Sequence, residues 1–263
     1  MKTFLKKIAL LSLLLPLAVN AMSVDEIVKK VDTRDDGDNS VSTMQMILID
    51  KHGKKRIRKM KSFKKDVGLD SHSLIFFMQP SDVKNTAFLT YDYDDEAKDD
   101  DQWLYLPALK KSKRIASSDK SGSFMGSDFT YADMTSRDIA DYTYTLKKES
   151  KVRGKKVWII ESIPKRKETV EETGYLKSYM FVQQDNFVVV RALHFLDEGG
   201  KKKYMDVKKL EKIDGIWVAT EIEMKTTKSK KRLHTTVMKF SDMKFNVKQK
   251  EGFYTVRQIE KGL

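Results

Sequence analysis

Cysteine is absent from the 263 residues. That excludes disulfides, thiolate metal sites, a cysteine nucleophile and a lipid carried on an N-terminal cysteine. Histidine is nearly as scarce. His52, His72, His194 and His234 lie in four separate segments with no metal spacing between any two, so no metal site is expected. The chain has no Walker loop, no dinucleotide fingerprint and no G-x-S-x-G elbow, and no cofactor is expected. It has no long apolar run beyond residues 8–19 and no break in composition that would divide a domain. The aspartate-rich stretch 32–40 lacks the glutamate that a calcium loop needs at its twelfth position and reads as a turn, and the second acidic stretch, 92–101, reads as a solvated hairpin loop.

The start of the chain reads as a secretory signal. Lys2, Lys6 and Lys7 precede the apolar run, which is too short to span a bilayer. Val19-Asn20-Ala21 offers small residues for cleavage after Ala21. The expectation is a signal peptide over 1–21 and one soluble periplasmic domain over 22–263, monomeric and held together by burial alone. The formal net charge is +13, and removing the three signal lysines leaves +10. Export argues against nucleic acid. Anionic head groups, a transiently contacted membrane face or an acidic protein surface suit that charge, as does a merely solvated surface.

Residues 23–32 predict an amphipathic helix, with Val24, Ile27, Val28 and Val31 on one face. Ser23 and Glu26 fit a capping box, and Met22 with Ile27 a hydrophobic staple. The helix either lids a cavity or covers core. From residue 41 the pattern is strands: 41–49, 56–63, 74–79, 86–93, 103–106, 114–116, 142–148, 156–163, 176–183, 187–196, 202–213, 216–226, 233–245 and 254–256, with a short helix near 128–134. Turn residues Asp185-Asn186 and Asp214-Gly215 mark hairpins. The fold class is mainly β, an antiparallel sheet curling into a barrel or half-barrel. Strands 74–78 (LIFFM) and 187–190 (FVVV) are apolar on both faces and need cover on both sides.

The block 101–134 carries the functional expectation. Trp103, Leu104, Tyr105 and Leu106 alternate on a strand, so one pair faces inward. Phe124, Met125 and Phe129 follow on a Gly/Ser loop and are expected to line or gate a hydrophobic site together with Phe88 and Tyr131. Thirteen methionines suit an adaptable pocket or ordinary core filling. Lys110, Lys111, Lys113 and Arg114 could meet a head group or a partner, or protect a strand edge. Ser123 and Ser127 keep a lipid hydrolase open, although Ser127-Asp128 reads better as a helix cap. No catalytic residue is assigned.

These residues also carry a resemblance. Phe77-x-x-Pro80-x-Asp82-Val83-Lys84-x-Thr86-Ala87-Phe88-Leu89, then Gln102 through Leu109, then Arg114-Ile115-Ala116, then Ser123 through Tyr131 with Asp133-Met134, resemble the outer-membrane lipoprotein-sorting, LolA-like family, in its branch associated with RND (MMPL-like) exporters. Asn85 stands where glycine is expected. The resemblance implies a half-open, strongly curved antiparallel β-barrel of about eleven strands with a helical lid. It also implies a periplasmic carrier or chaperone for lipid or acylated-protein cargo, working with an RND-type exporter. The alternatives are a lipid hydrolase using the Ser123/Ser127 loop and a docking module of an envelope complex that carries nothing.

Overall fold

The computed structural model describes residues 22–263 except Glu96; the signal peptide expected over 1–21 lies outside the described residues. One antiparallel sheet of thirteen strands dominates. The strands are β1 (Asn39–Asp50), β2 (Lys55–Val67), β3 (Asp70–Gln79), β4 (Ala87–Asp92), β5 (Asp101–Leu106), β6 (Lys111–Arg114), β7 (Tyr142–Val152), β8 (Lys155–Pro164), β9 (Tyr175–Gln183), β10 (Val189–Leu196), β11 (Lys201–Ile213), β12 (Ile216–Lys228) and β13 (Lys231–Phe245). Their spatial order is β6-β5-β4-β3-β2-β1-β13-β12-β11-β10-β9-β8-β7. Two meanders are therefore zipped together by the β1–β13 pair, and the curved sheet stays open between its edges β6 and β7. Two more strands are present than the resemblance implies.

That order dictates the rest. Residues 115–141 must travel from one edge of the sheet to the other, because β6 and β7 are its two ends. They do so through four short 3₁₀ turns that lie across the concave side. Helix α1 (Val24–Asp32) packs there too, capped as its sequence predicts: the Glu26 backbone N–H donates to Ser23 Oγ at 3.2 Å, and the Ser23 N–H to Glu26 Oε2 at 2.7 Å. Its Ile27 and Val28 are buried against Ile160, Met180 and Val182.

Both doubly apolar stretches find cover, although 187–188 precede the strand that starts at Val189: Val188 and Val190 pack with Val157 and Val207, and Phe187 and Val189 with Val182. In β3, Ile75 and Phe77 face the concave core with Met44, Met46, Met60 and Phe88. Leu74 and Phe76 face outward and are covered by Tyr254 and Ile259. The covering element corrects the sequence reading: 254–256 is not a strand but the entry to helix α3 (Val256–Lys261), whose N-cap Thr255 accepts from the Gln258 N–H. The strand expected at 114–116 lies earlier, as β6, because Lys111 to Arg114 pair with Leu106 to Trp103. The helix expected near 128–134 shrinks to one 3₁₀ turn, Ala132–Met134. Helix α2 (Lys167–Thr173) interrupts β8 and β9 without a strong apolar period to announce it, and ends on Gly174 at φ 74°. Asn85 takes φ 66°, the left-handed conformation that a glycine would supply.

Candidate functional site

A cavity of about 520 Å³ lies between α1, the crossing segment and the concave face of β9–β12. Its floor is apolar because those strands alternate: Met180, Ala192, Met205, Ile222 and Met224 all point inward. Val28 and Val31 of α1 and Phe129 of the crossing segment face them. Several of these side chains are unbranched thioethers, which adapt to irregular shapes.

One wall is polar and internally satisfied. Tyr175 Oη donates to Asp133 Oδ2 at 2.9 Å, and Lys203 Nζ lies 3.4 Å from the same hydroxyl. His194 stacks on Tyr175 with ring centroids 4.4 Å apart and shares a 2.7 Å hydrogen bond with Ser178. Burial pushes the His194 pKa down to about 3, so the ring is neutral, and burial also lowers Lys203. Burial, then the Asp133 charge, pushes the Tyr175 phenol well up. Arg137 donates to Ser162 Oγ at 2.9 Å and lies over the Tyr142 ring. Toward Asp32 and Asp100 the cavity turns acidic. Burial, with Asp92 nearby, raises Asp100 to about 6. Among the described residues no carboxylate/histidine cluster has the geometry of a metal site.

The crossing segment is stapled to the sheet by one carboxylate. Asp128, buried, accepts from Thr226 Oγ1 at 2.5 Å, Thr236 Oγ1 at 2.7 Å and His234 Nδ1 at 2.6 Å, while its own N–H donates to Thr236 Oγ1 at 2.9 Å. Asp128 is therefore not the helix cap expected from Ser127-Asp128. The local cap is Thr130/Asp133, where each backbone N–H donates to the other's side chain. The sequence reading missed this staple. Its signal was the polar inward series Thr226, His234 and Thr236 on adjacent strands, which needs an internal partner.

The predicted site residues divide between three places. Phe129 lines the cavity. Phe124 is fully buried beside Phe88 and Tyr131, with ring centroids 5.1 and 5.7 Å away, and Leu104, Leu106 and Met125 join that core rather than the cavity lining. A Ser123–Thr130 bridge closes the small hairpin that holds Phe124 inward. Trp103 and Tyr105 occupy the outer face, under the cover of Tyr254 and Ile259. Lys110 and Lys111 are exposed at the tip of the β5–β6 hairpin. Lys113 pairs with Asp119 at 3.7 Å, and Arg114 pairs with Asp101. Ser123 Oγ donates to the Ser127 carbonyl, and Ser127 Oγ accepts from the Phe129 N–H at 3.2 Å. The two serines thus serve their own loop, and His234 serves Asp128.

A family model described as "uncharacterized protein" matches residues 69–261. No curated protein matches the chain. Among solved structures it is similar to a proposed outer membrane lipoprotein-sorting protein domain from Vibrio parahaemolyticus, at 32% identity over 89% of this chain and 97% of that one, with a TM-score of 0.80. It is similar to a DUF1329 family protein from Desulfovibrio piger at 30% identity, over 89% and 96% of the two chains, with a TM-score of 0.79. A LolA superfamily protein from Nitrosomonas europaea, 17% identical over 89% and 98%, shares the fold at a TM-score of 0.67. With two relatives at 30% identity or more along nearly their whole length, the chain belongs to their family, DUF1329, and it has a LolA-like fold.

Proposed function

We propose that the protein is a periplasmic carrier that holds a lipid, an acylated protein or another hydrophobic cargo in the cavity under α1, and passes it on in cooperation with an RND-type inner-membrane exporter. It acts as a monomeric single domain, 22–263, after cleavage behind Ala21. The observation that carries this reading is the apolar floor made by Met180, Met205, Ile222 and Met224, set against one polar wall. A cavity of about 520 Å³ falls within the roughly 300–1,000 Å³ of small-molecule sites. The floor offers an acyl chain the apolar contact it loses in water, worth about 0.8 kcal/mol per buried CH₂. Methionine contacts lack directional bonds, which suits a cargo that must also be released. The name of the Vibrio relative, a lipoprotein-sorting domain, points the same way.

Binding is favoured over hydrolysis by the serines. Among the described residues neither Ser123 nor Ser127 is hydrogen-bonded to a histidine. Native mass spectrometry of gently purified mature protein, followed by lipid extraction, tests the reading. The expected result is a co-purified acylated molecule at one per chain. Protein that carries nothing and binds no fluorescent acyl probe would instead support a docking module. Fatty-acid release from phospholipid that Ser127→Ala abolishes would support the hydrolase.

A further inference from the structure

Successive turns of an antiparallel meander fall alternately on the two rims of the sheet. Here one section of each rim carries a charge opposite to the other's. On one rim the β1–β2 turn (50–56, DKHGKKR) and the β12–β13 turn (228–232, KSKKR) stand side by side, because β1 pairs with β13. Arg232 fastens them, donating to the backbone carbonyls of Asp50 at 3.3 Å and Lys51 at 3.4 Å. The two turns hold eight lysines and arginines, all exposed, against one acid. That acid, Asp50, is occupied by the backbone N–H groups of His52 and Lys54 at 2.8 and 2.9 Å. Among the described residues none of the eight forms an ion pair, and Glu198 on the next turn is already paired with Lys201. Lys110 and Lys111 extend the same rim along the sheet.

The opposite rim is basic at 151–156 and 248–250 but strongly acidic in one section. Loops 32–38, 66–70 and 92–101 contain thirteen aspartates and glutamates and two cations. They gather at one end: the Asp94 N–H donates to Asp70 Oδ1 at 3.0 Å, and the Asp66 N–H to the Asp38 carbonyl at 2.7 Å.

We propose that the rim built by the 50–56 and 228–232 turns docks the protein onto an anionic phospholipid bilayer. The cations sit on short turn tips in a row, which suits a diffuse plane of charge better than a shaped acidic protein. Exposed Ile57 and Leu233 lie among them, ready to meet the interface. A small cavity of about 230 Å³ between the turns, lined by Leu48, Asp50, Lys54, Arg56 and His234, presents two of these eight cations to a head-group phosphate. The acidic loops at 32–38, 66–70 and 92–101 are repelled by the same surface, so the charge pattern sets orientation as well as attraction. This surface is separate from the cargo cavity and does not depend on the carrier reading.

Co-sedimentation with vesicles tests it. Wild-type protein should bind phosphatidylcholine vesicles containing phosphatidylglycerol, should ignore pure phosphatidylcholine, and should lose binding between ~0.01 M and ~1 M salt as the Debye length falls. A basic residue near such a surface is worth about fivefold in affinity, so Lys51→Glu/Lys54→Glu/Lys230→Glu/Lys231→Glu should weaken binding by at least ~100-fold. The same number of reversals elsewhere on the surface, Lys148→Glu/Lys151→Glu/Lys156→Glu/Lys248→Glu, should leave most of it. Both variants should keep wild-type acyl-probe binding, which separates this proposal from the carrier. Equal loss in the two variants would mean that net charge, not the rim, is read, and would overturn it. So would wild-type protein that ignores the anionic vesicles but is retained by immobilised polyglutamate, which would mark an acidic protein as the partner.

Discussion

Asp128→Ala should unfasten the crossing segment from the sheet. The carboxylate accepts three side-chain hydrogen bonds, from Thr226, Thr236 and His234, in a site where its side chain is only 2% exposed. Hydrogen bonds to a charged acceptor contribute roughly 1.5–3 kcal/mol each, and removing one partner leaves the others unsatisfied in a dry environment. Simple addition would overshoot, because the freed hydroxyls can rotate and water can enter the space. The expected loss is about 3–5 kcal/mol, below the sum of three hydrogen bonds to a charged acceptor. Against a typical stability of about 5–15 kcal/mol this is a large fraction. Urea unfolding at pH 7 measures it, with the slope m held as the check that the denatured state is unchanged. Because Phe129 follows Asp128 directly and lines the cavity, the dissociation rate of an acyl probe should rise in the folded fraction. A loss below about 1 kcal/mol with unchanged probe kinetics would show that the segment is positioned by its apolar contacts alone and that the staple is incidental.

Further outcomes separate core from cavity. Phe124→Ala should cost about 3–5 kcal/mol, as for a large core truncation, while Met125→Ala, half-buried at the hairpin tip, should cost much less. Thermal midpoints of the two variants compare them, and equal small shifts would refute the buried placement of Phe124. His194 has a folded pKa near 3, below its ordinary value of 6.5, so the unfolded chain binds its proton first. Its contribution to stability is therefore full above pH ~6.5 and is lost as pH falls toward ~3, at up to about 1.4 kcal/mol per pH unit. His194→Gln should flatten that part of the pH–stability curve, and an unchanged slope would show that other groups carry it.

Local periodicity made much of the fold legible. The α1 capping box, the strand alternation and the doubly apolar LIFFM strand are short-range patterns, and each has one physical solution. What the sequence did not show depends on contacts distant along the chain. The strand expected at 254–256 is one such case. In the structure Tyr254 and Ile259 are needed as cover for Leu74 and Phe76, and a capped helix supplies it. The candidate site diverged for a similar reason. Phe88, Leu104 and Phe124 stand out as large apolar groups near a flexible-looking loop, but the crossing segment folds Phe124 into the core wall. The cavity floor comes instead from Met180, Met205, Ile222 and Met224, inward positions on three strands that only the sheet brings together. The polar wall of Tyr175, His194, Lys203 and Asp133 is likewise invisible until β9, β10 and β11 lie side by side with the crossing segment.

The most direct test of the carrier is equilibrium binding of a fluorescent fatty acid to delipidated protein, wild type against Met205→Trp, with thermal midpoints recorded for both. Met205 is half-buried and faces the cavity, so the indole fills space that cargo would use while the surrounding core is kept. The account predicts saturable binding at one probe per wild-type chain and at least a tenfold weaker affinity in Met205→Trp at a nearly unchanged midpoint. Wild-type protein that binds no probe, or a folded Met205→Trp protein that binds it as tightly as wild type, would contradict the claim that this cavity holds the cargo.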